Sequence, residues 1–145
     1  MSDQAHIALI RCLFGEFYNK GNLDALDDLF AFHVTMHEAG SPEPLCGGPE
    51  LFKQHQRAQL LATPDFHITL EDMAVSGDTV ACRWTARGTH KGVWHGIAPT
   101  GKHTEVAGMS FFHIAEGRII ECWHCSDTLG LRQQLGLVGV VTASD

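Results

Sequence analysis

Apolar side chains at Ile7, Ile10, Leu13, Phe14, Phe17 and Tyr18 recur at spacings of three and four. That periodicity draws one face of a first helix. Gly21 closes it, and Asn22 is placed to cap a second, short helix over "LDALDDLFA", whose first turn carries acids. "HVTMH" (33–37) reads as a brief strand, and "EAGSPEPLCGG" as a Pro- and Gly-rich loop. Pro49 suits the first position of a third helix, "PELFKQHQRAQLLA", which Pro64 closes. Beyond residue 65 the period shortens to that of strands. "FHITLEDMAV", "TVACRWTARGTH", "HTEVAGMSFFHI" and "RIIECWHCS" are separated by "SGD", "KGVWHGIAPTGK" and "AEG". "LGLRQQLGL" predicts a short terminal helix.

Three helices followed by a run of antiparallel strands predict an α+β domain with helices on one face of a sheet. No repeat, low-complexity tract or linker divides the chain, so 1–145 is expected to be one domain. Phe14, Phe17, Phe32, Phe52 and Trp84 are the expected aromatic core, with some of them turned towards an interior space.

Composition narrows the partners. Ten Lys and Arg against 17 Asp and Glu give a net charge of −7. No basic patch is therefore available to displace counterions from a nucleic-acid backbone. No apolar run approaches the roughly 20 residues of a membrane helix. The start, "MSDQAHIALIRCLF", lacks a basic n-region and a small-residue cleavage site. The five cysteines are odd in number and irregular in spacing. Together these predict a cytoplasmic protein without a disulfide framework.

The segment "ECWHCSD" (121–127) carries a C-x-x-C spacing with a histidine inside it. On a strand, however, Cys122 and His124 share one face while Trp123 and Cys125 share the other. Two thiols arranged so do not converge on a metal or a disulfide. A zinc site needs further ligands, and His33 and His37 would lie roughly 13 Å apart on a strand. No metal is expected.

Which face of this strand looks inward depends on the preceding turn. "IAEGR" predicts a three-residue loop with Gly117 left-handed and a G1 bulge, pairing Ile114 with Arg118. Ser110 would then lie opposite Cys122, and Gly108 opposite His124, so that Ser110, Cys122 and His124 line one face. A two-residue loop would instead bring Met109 and Phe111 beside His124 and Cys122.

Several ordered features resemble the SnoaL-like polyketide cyclase family, also described as predicted ester cyclases. They are "GTH" at 88–90, the Gly96, Pro99, Thr100, Gly101 and Lys102 loop, the Phe112–Gly117–Ile119 hairpin, and an ending with Trp123, Asp127, Gly130, Gln134, Leu135 and Gly136. "FHVTMHEAG" is similar to the family's strand ending in a histidine and an acid, and the likeness spans about residues 5–138. The resemblance implies a cone of curved antiparallel sheet around helices, shared with nuclear transport factor 2 and ketosteroid isomerase, with an apolar cavity inside. It implies closure of a polyketide ester ring by intramolecular aldol condensation, with no metal or organic cofactor. The family's acid/base aspartate follows the last-strand tryptophan, and histidines stand two residues before it and on the preceding strand. Here those positions hold His124, Cys122 and Ser110. Asp127 is expected to cap the terminal helix.

Proton abstraction beside a carbonyl needs a base within reach and a donor for the forming enolate oxygen. Imidazole can serve as that base, and burial would keep it neutral. His124 is thus the expected catalytic residue. Ser110, Cys122, His37, Phe14 and Trp84 are expected around the substrate, with His37 reaching the cone mouth. The expected partner is a small hydrophobic carbonyl compound. The alternative is a non-catalytic domain that binds a small apolar ligand. Apolar surface around Trp123 and Cys125 predicts a homodimer through the outer sheet face.

Overall fold

The computed structural model describes residues 2–139. Helix α1 (Asp3–Cys12) starts at Ser2, whose hydroxyl accepts from the Ala5 amide, and runs on as a wider, π-helical stretch over Leu13–Asn19. Such wide turns are rare and often sit at functional sites. The expected second helix is a 3₁₀ turn (Leu23–Ala25) and a single α-turn, α2 (Leu26–Leu29); Asn22 makes no side-chain cap. Asp24 and Asp27 are instead held by Lys53 of α3 (Pro49–Ala62), whose ammonium lies 3.0 Å from a carboxylate oxygen of each. Proline at both ends made α3 the easiest element to delimit.

Strand β1 (Phe30–Glu38) is longer than the expected 33–37, and the loop after it contains a short strand, β2 (Leu45–Gly47). Strands β3 (His67–Ser76), β4 (Thr79–Thr89), β5 (His103–Ala115) and β6 (Arg118–Ser126) follow, then α4 (Thr128–Gln134). Asp127 caps α4, accepting from the Gly130 amide at 2.8 Å. The six strands form one open sheet in the order β2-β1-β6-β5-β4-β3. It is mixed rather than wholly antiparallel, because β1 runs parallel to β6.

The helices pack on the concave face. Phe14, Phe17, Val80, Phe112, Ile119 and Cys122 are among its buried residues. Asn19 ties the helical arm to edge strand β3, accepting from the Ile68 amide at 2.8 Å and donating to its carbonyl at 2.9 Å. That clasp blunts an otherwise open edge. Phe32 departs from the expected core. The residue is 95% exposed although Phe30 and Val34 are buried, because the β1–β6 register shifts between Phe30 and Thr35 and the regular alternation is broken there.

The β5–β6 turn corrects the expected register. Ala115 pairs with Arg118, which leaves a two-residue loop, Glu116-Gly117, with φ of 51° and 78°. Both central residues are left-handed, as a type I′ hairpin requires. The expected G1 bulge is not formed at the turn; a different bulge sits inside β6. Ile114 pairs with Ile119 and His113 with Glu121, so Ile120 is the extra residue. The bulge cancels the parity change of the shorter loop. Ser110, Cys122 and His124 therefore do share a face, but Ser110 stands opposite His124 and Phe112 opposite Cys122.

Candidate active site

The concave face carries a short polar chain in an otherwise apolar setting. Trp84 on β4, Ser110 on β5 and His124 on β6 lie side by side. Trp84 Nε1–H donates to Ser110 Oγ at 2.9 Å, and Ser110 Oγ lies 2.6 Å from His124 Nδ1. The indole can only donate, so the serine oxygen accepts from it, and Nδ1 is the one acceptor within reach of the serine hydrogen among the described residues, so that hydrogen goes to Nδ1. That network assigns the neutral imidazole the Nε2–H form. Nε2 has no protein partner among the described residues.

His124 is largely enclosed by protein yet keeps some accessible surface. Burial lowers its pKa to about 4, because a charged ring would lose its hydration there. At neutral pH it is an uncharged donor through Nε2 and a weak base. Burial likewise pushes the Cys82 and Cys122 thiols up to about 12, so neither is a thiolate. Cys122 is fully buried, whereas Cys125 is exposed on the opposite face. The two sulfurs of the C-x-x-C segment cannot meet.

Among the expected site residues, Trp84, Ser110 and His124 are brought into direct contact, with Cys122 packed beside them. Phe14 lies one layer back, buried edge-on against the Tyr18 ring at 5.5 Å between centroids. His37 is not at the cone mouth. The parallel register matches Met36 with Cys122, His37 with Trp123 and Glu38 with His124. His37 therefore sits on the convex face, stacked on Trp123 (4.9 Å, 11°), with its Nε2 2.7 Å from a Glu121 oxygen.

Two residues escaped the sequence reading. Tyr18, the only tyrosine, projects from the π-helical stretch into the concave interior, where burial first, and then Cys122, Glu38 and Cys82, raise its pKa. Its hydroxyl has no partner among the described residues. A lone tyrosine on an apolar helix face is a usable signal, since its polar tip needs a destination. Glu38, beside His124 in the register, is the second. Two surface hollows lie at the other end of β6, around the hairpin. One of about 230 Å³ is lined by His6, Asp78 and Glu116, and one of about 680 Å³ by Phe30, Phe32 and Arg118. Neither contains Trp84, Ser110 or His124.

Comparison with known proteins agrees with this architecture. A family model described as SnoaL-like polyketide cyclase matches residues 8–135. TsrD from Streptomyces laurentii is similar at 26% identity, over 95% of this chain and 99% of that one, with a TM-score of 0.85. IdmH from Streptomyces antibioticus, a proposed polyketide cyclase, is 31% identical over 90% of this chain and 97% of its own, with a TM-score of 0.77. AclR from Streptomyces galilaeus, a proposed hydroxylase, shares the fold at 20% identity, over 99% of this chain and 88% of that one, with a TM-score of 0.84. Among curated proteins, none matches the sequence. No helix among the described residues is long and apolar enough to cross a membrane.

Proposed function

Because the chain belongs to the SnoaL-like polyketide cyclase family, we propose that it is a cofactor-independent enzyme acting on a small hydrophobic carbonyl compound of the polyketide ester kind. The observation that carries this reading is the Trp84–Ser110–His124 chain. It ends in a neutral Nε2–H with no protein partner among the described residues, on the concave side of the sheet against which Tyr18 also packs. Two neutral donors in an apolar enclosure suit an oxygen on which negative charge develops during enolisation. They act there with no reorganisation, and the confined substrate is held in a ring-closing conformation. His124 is thus catalytic through hydrogen donation rather than as the base expected from its family position. Ser110 and Trp84 fix its tautomer and angle.

Incubation with aromatic polyketide esters bearing a side-chain ketone, followed by mass spectrometry and NMR, tests the reading. The expected product is an isomer or dehydrated isomer with one new carbon–carbon bond. The alternative is a domain that only holds an apolar ligand, favoured by the weak basicity of His124; it predicts saturable quenching of Trp84 fluorescence with no new product.

The convex face belongs to the same proposal. Met109 and Phe111 are 62% and 52% exposed beside Trp123, an apolar stripe that a second copy would cover. Sedimentation at micromolar concentration should give a dimer, and Phe111→Glu a monomer. A wild-type monomer under those conditions removes the claim.

A further inference from the structure

Two donors on one oxygen leave the proposed chemistry without a proton acceptor, because Nδ1 of His124 already takes the Ser110 hydrogen and Nε2 already bears one. We infer that Glu38 is that acceptor, a catalytic base at the open end of β1 standing beside His124; the inference rests on the carbonyl reading above. Its first support is the register. Parallel partners lie about 4.8 Å apart and face the same way, and Glu38 is matched with His124. The neighbouring pair, His37 and Trp123, points outward and is stacked, which fixes Glu38 on the concave side. The ladder continues past it, with the Ala39 amide donating to the His124 carbonyl at 2.9 Å, so the backbone bearing Glu38 is anchored to the backbone bearing His124.

The second support is electrostatic reach. The Glu38 charge is felt by both Tyr18 and Cys122, which lie inside the cone. Glu38 itself has no ion pair or side-chain hydrogen bond among the described residues, whereas Glu121, one strand across and facing outward, is held by His37. Glu38 is exposed at the end of β1, so its carboxylate is open to an entering substrate.

The proposed step is balanced within the site. Glu38 takes a proton from the carbon beside the carbonyl. The C–H electron pair becomes the enolate double bond, and the carbonyl π pair moves to oxygen, where His124 Nε2–H and the Tyr18 hydroxyl donate to it. The enolate carbon then attacks a second carbonyl of the same molecule, and the Glu38 carboxylic acid returns its proton to the new alkoxide.

The half-reaction can be read without the natural substrate, as hydrogen–deuterium exchange at the methylene groups of 2-tetralone in deuterated buffer, followed by proton NMR. Wild type should accelerate exchange above the buffer rate. Glu38→Gln should lose that acceleration about 10²-fold or more, while 2-tetralone still quenches tryptophan fluorescence with unchanged affinity. Glu38→Asp should retain part of it, and His124→Ala should slow exchange without abolishing it. Wild-type exchange with Glu38→Gln equally fast overturns the assignment of Glu38 alone. A wild type that neither binds nor exchanges the ketone overturns the carbonyl reading, and this assignment with it.

Discussion

Replacing His124 with alanine should lower turnover of a polyketide ester about 10²- to 10³-fold, the usual cost of removing one preorganised donor from a developing oxyanion. Substrate affinity should change little, because the interaction strengthens only as charge builds on the oxygen. The variant should remain folded. The lost ring is neutral, so no buried charge is stranded. The cost is an unpaired Ser110 hydroxyl hydrogen, on the order of 1–3 kcal/mol. His124→Asp should not restore the rate, since an ionised carboxylate has no hydrogen for the developing oxyanion and sets a like charge beside it. Full turnover by the alanine variant would reduce His124 to a wall residue.

The same ring leaves a signature in stability. Its folded pKa of about 4 lies below the ordinary histidine value of 6.5. Between those values the unfolded chain holds a proton that the folded chain refuses. The contribution is therefore complete above about pH 6.5 and is lost as pH falls towards 4. His124→Gln should flatten that part of the urea-midpoint curve relative to wild type.

Much of the architecture was legible because it is written in local punctuation. Pro49 and Pro64 bracket α3, and "SGD" and "AEG" separate strands whose alternation is clear. The shared face of Ser110, Cys122 and His124 was also legible, although the expected register differs from the observed one. A type I′ turn and a bulge at Ile120 each shift parity by one residue, and together they restore it. What stayed hidden was non-local. No local pattern says that β1 lies parallel to β6, separated from it by some eighty residues, and that pairing alone decides that His37 faces out and Glu38 faces in. Tyr18 was hidden differently. Its ring fits an apolar helix face, so periodicity reads it as core, and the destination of its hydroxyl, which sets it apart, depends on strands distant in sequence.

Gly108→Ala should be the most damaging small substitution in the sheet, and it couples packing to the site. Gly108 faces Trp84 across β4 and β5, and the indole lies over it. An added Cβ would stand 2.3, 2.4 and 2.8 Å from the indole Cζ2, Cη2 and Cε2 atoms. The ring is rigid and cannot bend away, so it must swing, and swinging carries Nε1 off Ser110 Oγ. Overpacking of this kind costs about 1–3 kcal/mol, which a melting curve should register as a fall of roughly 4 °C for each kcal/mol. Turnover should drop as well, since Ser110 loses the donor that directs its hydrogen to Nδ1 and His124 loses its fixed tautomer. Adding Trp84→Phe removes the clashing benzo ring and should recover part of the stability. It should not recover the rate, because phenylalanine has no N–H to offer. A double-mutant cycle in melting temperature and turnover separates the two effects. If Gly108→Ala melts and turns over like wild type, the indole is free to move, and it does not hold Ser110 and His124 in place.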